Sequence, residues 1–143
     1  MTVARILKEK GREVLTTQPH RTLKEVAQQL AEKGVGAVVV SDAKHSVLGI
    51  LSERDVVRAI GTGGAKTLDD PVSRHMTALV ETVGEDATID EVMQTMTNGR
   101  FRHLPVIEDG RLVGIVSIGD IVKRHVSAIE TERLALRDYI ASA

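Results

Sequence analysis

Gly49-Ile50-Leu51-Ser52-Glu53-Arg54-Asp55 is the stretch that decides the fold, because it occurs twice. It returns as Gly114-Ile115-Val116-Ser117-Ile118-Gly119-Asp120. Each copy follows a short apolar run and leads into a helical pattern, Val56-Val57-Arg58-Ala59-Ile60 and Ile121-Val122-Lys123-Arg124-His125-Val126. A glycine-led apolar triplet, a hydroxyl, and a carboxylate three residues on put ligand-capable groups where a strand passes into a helix.

Working outward, the flanking sequence repeats as well. A shift of 66 residues brings Val14, Thr16, Thr22, Glu25 and Val26 onto Val80, Thr82, Thr88, Glu91 and Val92. After a turn shortened by one residue at Glu108-Asp109-Gly110, a shift of 65 brings Gly49, Ile50, Ser52, Asp55 and Val57 onto Gly114, Ile115, Ser117, Asp120 and Val122. Identities spread over every element at one nearly constant shift mark an internal duplication.

Each unit reads helix, strand, helix, strand, strand, helix. In the first, Val3, Ile6 and Leu7 are the docking face of a short helix, and Val14–Thr17 is a short strand. Thr22 with Glu25 predicts a capping box, Leu23, Val26, Ala27 and Leu30 share one helix face, and Gly34 is the stop. Ala37–Val40 has the continuous β-branched character of a strand buried on both faces, with Val47–Leu51 as its hairpin partner. A helix over about residues 53–60 should stop at Gly61. Thr88 and Glu91 repeat the capping box, with Asn98-Gly99 ending that helix.

These patterns divide the chain into residues 1–61, a glycine-rich and polar flexible linker over 62–71, residues 72–127, and a helical extension over 128–143. About 60 residues is marginal for an independent core, so the two units are expected to pack on each other. The extension keeps Ile118, Val122, Val126, Ile129, Leu136 and Ile140 at helical spacing, an apolar stripe suited to a second subunit.

Composition narrows the function. A net charge of −1 leaves no electrostatic footprint for nucleic acid, and one Phe, one Tyr and no Trp leave little for base stacking. Cysteine is absent, which removes disulfides and thiolate chemistry. His20, His45, His75 and His125 lack metal-ligand spacing. No run approaches the roughly 18 apolar residues of a membrane span, and the N-terminus is interrupted by charge too early for a secretory segment, so a cytoplasmic location is expected.

Two tandem copies ending Gly-apolar-apolar-Ser-x-x-Asp, together with Phe101-Arg102-His103-Leu104-Pro105-Val106 before a strand, resemble the cystathionine-β-synthase-type (CBS) domain pair, or Bateman module. The resemblance covers about Val3 to Val126, and Ala135–Ile140 is similar to the tail of small stand-alone bacterial members. It implies an α/β (α+β) fold of two β-α-β-β-α motifs packed pseudo-symmetrically, with regulation in place of catalysis. The implied ligand is an adenosyl compound (AMP, ADP, ATP or NAD(H)), bound in clefts between the motifs, and the implied assembly is a homodimer. Carried onto this chain, Ser52 and Asp55 serve one cleft and Ser117 and Asp120 the other, with Thr17, Ile50, Val83 and Ile115 along the adenine and Arg54, Arg102 and His103 toward phosphate.

The residue chemistry agrees. A carboxylate can accept both bonds of a vicinal diol, free amides at a helix N-terminus favour an anion, and Gly49 and Gly114 let a flat ring approach the backbone. Arg54 equips the first copy for phosphate, whereas Gly119 in the second leaves Arg100, Arg102 or His103 to supply the charge.

Plainer readings of the same residues exist. Asp55 and Asp120 also suit helix starts through the dipole, and Ser52 and Ser117 suit N-caps. Gly61–Thr67 lacks the spacing of a phosphate-binding loop, with Ala65 before Lys66-Thr67. No base accompanies Ser52 or Ser117 to make a nucleophile. The alternative to a sensor is an interaction module whose clefts stay empty.

Overall fold

The computed structural model describes residues 1–78 and 81–142. The chain runs α1 (Val3–Lys10), β1 (Thr16–Thr17), α2 (Leu23–Lys33), β2 (Ala37–Ser41), β3 (Val47–Ser52), α3 (Glu53–Gly63), β4 (Thr77–Ala78), α4 (Ile89–Gly99), β5 (His103–Glu108), β6 (Arg111–Ser117) and α5 (Ile118–Ser142). One sheet has the order β1-β2-β3-β4; β5 and β6 form an antiparallel pair. The duplication survives in the register: Thr17 pairs in parallel with Val40, and 66 residues on, Val83 pairs in parallel with Val106. The strand expected around Val80 begins outside the described residues.

Local chemistry accounts for the helix ends, with differences between copies. Thr88 and Glu91 form the full capping box. At Thr22 only half of it exists: the Glu25 N–H donates to Thr22 Oγ1 at 3.2 Å, while the Glu25 carboxylate faces Arg21 at 3.7 Å. Gly34 closes α2 in the left-handed region. The corresponding turn after α4 is taken by Arg100, at φ 57°. That conformation costs a non-glycine residue about 1 kcal/mol or more.

Helix α3 does not stop at Gly61; it continues to Gly63, and Gly64 takes the positive φ. The expected flexible linker is instead ordered. Ala65–Asp69 forms a 3-10 turn whose Thr67 is buried and donates to the Gly64 carbonyl at 2.8 Å. Asp70 then gathers Arg74 at 3.2 Å and His75 at 2.8 Å. Backbone bonds from Leu23 to Asp70 and from Val72 to Arg21 stitch this segment to the first motif.

Packing crosses the sequence order. Val3, Ile6 and Leu7 of α1 lie in one core with Ile89, Val92, Met96, Leu104, Val106, Val116 and Ile121 of the second motif. Val72, at the entry to the second unit, lies in the other core with Leu23, Val26, Leu30, Val38, Val40, Leu51 and Ala59 of the first. The opposite face of β2 and β3, through Ala37, Val39 and Ile50, packs on Leu112 and Ile115 of β6. Each motif is therefore completed by the other's leading segment, and the β2–β3 sheet is covered on both faces, as its continuous apolar run requires.

Candidate functional site

Both Ser-x-x-Asp loops fold as capping boxes. In the first, the Ser52 N–H donates to Asp55 Oδ2 at 2.8 Å, the Ser52 hydroxyl is 3.1 Å from the same oxygen, and the Asp55 N–H donates back to Ser52 Oγ at 3.3 Å. In the second, Ser117 N–H donates to Asp120 Oδ2 at 2.9 Å and Asp120 N–H to Ser117 Oγ at 3.1 Å. The helix-cap reading is thus correct for both pairs. It leaves Oδ1 of each carboxylate turned away from the cap.

The environments then diverge. A cleft of about 430 Å³ between the motifs is lined by Ile50, Ser52, Glu53, Arg54, Asp55 and Arg58 from the first motif and Thr77 from the connecting strand. From the second motif it takes Arg100, Phe101, Arg102, His103 and Ser117. Asp55 is only 10% exposed, and Arg58 stands 3.7 Å from its Oδ1. Four arginines against the two carboxylates of Glu53 and Asp55 make this an anion-attracting space. Its walls are built by symmetry-related bonds, Glu53 N–H to the Gly36 carbonyl at 2.9 Å and Ile118 N–H to the Arg102 carbonyl at 2.8 Å.

Asp120 does not line that cleft. Its Oδ2 accepts Lys10 Nζ at 2.6 Å, and the same ammonium donates to the Ile115 carbonyl at 3.0 Å. Burial would raise the Asp120 pKa, but Lys10 and the Ser117 amide outweigh it and hold the carboxyl below its ordinary value. His103 sits between the two regions. Burial first, and then the nearby Lys10 charge, lower its pKa despite the opposing pull of Asp120 and Glu53, which favours the neutral ring.

Of the residues expected from sequence, Ile50, Ser52, Arg54, Asp55, Arg102, His103 and Ser117 come together in one cleft. Thr17 and Val83 do not. They pair with β2 and β5 on the edge away from β3 and β6, so roughly two strand spacings, about 10 Å, separate them from the Ser-x-x-Asp ends. Thr17 borders a different depression with Arg21, Glu25 and His45, and Val83 packs against the second core. Ile115 is at the intermotif face, with its carbonyl engaged by Lys10.

Two contributors to this cleft, Arg58 and Arg100, were not assigned to it from sequence, and neither was the partner that Asp120 finds outside it, Lys10. Arg58 was signalled by its place one turn after Arg54 and Asp55. Arg100 belongs with Arg54 and not with Asp120, placed there by the left-handed turn that ends α4. Lys10 had no local signal, because it arrives from another element.

A family profile for the CBS domain matches residues 3–62 and 72–127. The chain belongs to the CBS-domain family. A crystal structure of a CBS-domain containing protein from Agrobacterium tumefaciens superposes with a TM-score of 0.84 at 47% identity, covering 87% of this chain and 99% of that one. A CBS domain protein from Pyrobaculum aerophilum, solved in complex with AMP, gives a TM-score of 0.74 at 27% identity over 84% of this chain and 89% of the other. A 17.7 kDa protein from Acidianus ambivalens is 39% identical over 77% of this chain, which spans 66% of that relative's length. Among the described residues of this CBS pair, no helix is long and apolar enough to cross a membrane, and no cluster of His, Asp and Glu could hold a metal ion.

Proposed function

We propose that this CBS pair is a regulatory module that binds an adenosyl nucleotide in the intermotif cleft. The observation that carries the reading is the meeting of Ser52 and Asp55 with Arg54, Arg58, Arg100 and Arg102 around one space. Asp55 Oδ1 accepts from the ribose hydroxyls, the arginines take the phosphates, and Ile50 and Phe101 offer apolar contact to the ring. The AMP complex of the Pyrobaculum aerophilum relative supports this ligand class. AMP, ADP, ATP and NAD(H) all carry the required groups.

A ligand in this position touches both motifs. Binding then favours whichever relative arrangement of the motifs makes both sets of contacts, which is the population shift a regulator needs. A second copy of the chain is the proposed reader of that shift. Val57 is 70% exposed on α3, and Val122, Val126, Ile129, Leu136 and Ile140 are exposed along α5.

Titration calorimetry with AMP, ADP, ATP, NAD, NADH and S-adenosylmethionine tests the site. At least one should bind, and Asp55→Ala should weaken it by about tenfold or more, the scale of a lost charged hydrogen bond. Unchanged affinity in Asp55→Ala would remove the binding mode. Failure of the whole panel to bind would leave the interaction-module reading.

A further inference from the structure

Lys10 has no part in the site just described, yet it meets the second copy's key carboxylate. Helix α1 brings it there with Val3, Ile6 and Leu7 buried in the second core as anchors. Its Nζ occupies Asp120 Oδ2 at 2.6 Å and the Ile115 carbonyl at 3.0 Å. The same end of α1 is held by Arg124 Nε on Glu9 at 3.2 Å and by the Arg12–Glu85 pair.

The first copy has no such arrangement. The residue 66 positions after Lys10 is Met76, which brings no charge, and Arg58 stays 3.7 Å from Asp55. A ribose hydroxyl and an ammonium both make charge-assisted bonds to a carboxylate, and the ammonium adds a charge–charge attraction that the neutral hydroxyl lacks. A ribose diol therefore competes with Lys10 at Asp120 and with no lysine at Asp55.

We infer that Lys10 is an intramolecular competitor for the Asp120 carboxylate, and that it decides which copy of the repeat takes an adenosyl ligand. A ligand diol that takes both Asp120 oxygens must displace the ammonium from Oδ2, the oxygen Lys10 shares with the Ser117 amide. The Lys10 side chain is 27% exposed and at the end of its helix, so it has solvent to move into without unpacking α1. The inference rests on the nucleotide reading above and deepens it.

The test is calorimetry with AMP on the full chain. Wild type should take one AMP per chain tightly, in a site lost on Asp55→Ala. Lys10→Met should add a second site, or tighten a weak one by about tenfold, the scale of one charge-assisted contact. Asp120→Asn in the Lys10→Met background should remove the gain and spare the first site. Lys10→Gln, which keeps the helix end polar, provides the same test if the methionine variant misfolds.

A second site unchanged by either substitution overturns the inference while leaving the Asp55 site standing. A second site weakened by them also overturns it, making Lys10 a ligand contact. Absence of AMP binding in every variant would overturn the inference and count against the Asp55 site together.

Discussion

Asp55 and Asp120 hold the same place in a duplicated motif and close the same capping box, yet they meet opposite surroundings. Asp55 opens onto a cleft edged by four arginines; Asp120 is tied to a lysine delivered by the N-terminal helix. Nothing inside either seven-residue stretch accounts for this. The difference lies in what each leading segment brings when it crosses to the other motif: a full helix bearing Lys10 in one direction, a short 3-10 turn followed by Met76 in the other. Duplication repeated the backbone, and the crossing segments made the two halves unequal.

The largest expected effect tests that crossing. Leu7 is fully buried in the second core, so Leu7→Ala should cost about 3 kcal/mol in urea denaturation. A loss under about 1 kcal/mol would mean that α1 is not part of that core.

The paired glycines give the next contrast. A Cβ on Gly49 would come within 2.6 Å of the Thr77 carbonyl oxygen, whereas one on Gly114 would meet the tip of the Leu7 side chain at 2.6 Å. Backbone in a sheet cannot retreat as a leucine methyl can. Gly49→Ala should therefore destabilise by about 2 kcal/mol and Gly114→Ala by about half that. Equal losses would show that the two intermotif contacts are equally stiff.

A smaller effect concerns the ring between the two regions. The folded state holds the His103 pKa below its unfolded value, so as pH falls the unfolded chain takes up the proton first. Stability attributable to this residue is present above the unfolded pKa of about 6.5 and declines below it, until the folded pKa is passed. Melting followed from pH 7.5 to pH 5 should show a shallower decline in His103→Gln than in wild type. An identical slope would exclude His103 as the source of the acid sensitivity.

The smallest contrast is between the caps. Thr88→Ala breaks a reciprocal box and should cost about 1 kcal/mol, while Thr22→Ala loses one bond and should cost less. Thermal melts of the two variants side by side measure the difference.

Much of this was legible from the chain alone wherever the cause is local. Capping residues, left-handed glycines, β-branched runs and three-to-four spacing act over a few positions, which is why α1, α2, β2, β3, α4 and the buried faces agree with their pattern. The expectations for the segment after α3 failed for equally physical reasons. Gly61 carries only a propensity penalty inside a helix, and packing overrode it as far as Gly63. The glycine-rich linker looked flexible, but Thr67 and Asp70 find partners that composition does not reveal.

What the sequence by itself determined is the duplicated frame, the Ser-x-x-Asp capping loops and the family they belong to. These follow from residue type and spacing along the chain. Tertiary structure alone decided that Arg58 and Arg100 join Arg54 and Arg102 around Asp55, that Thr17 and Val83 lie on another edge, and that Lys10 reaches Asp120 from 110 residues away. Such contacts depend on how two small, incomplete cores exchange segments to bury their apolar faces, and that exchange leaves no periodicity in the sequence.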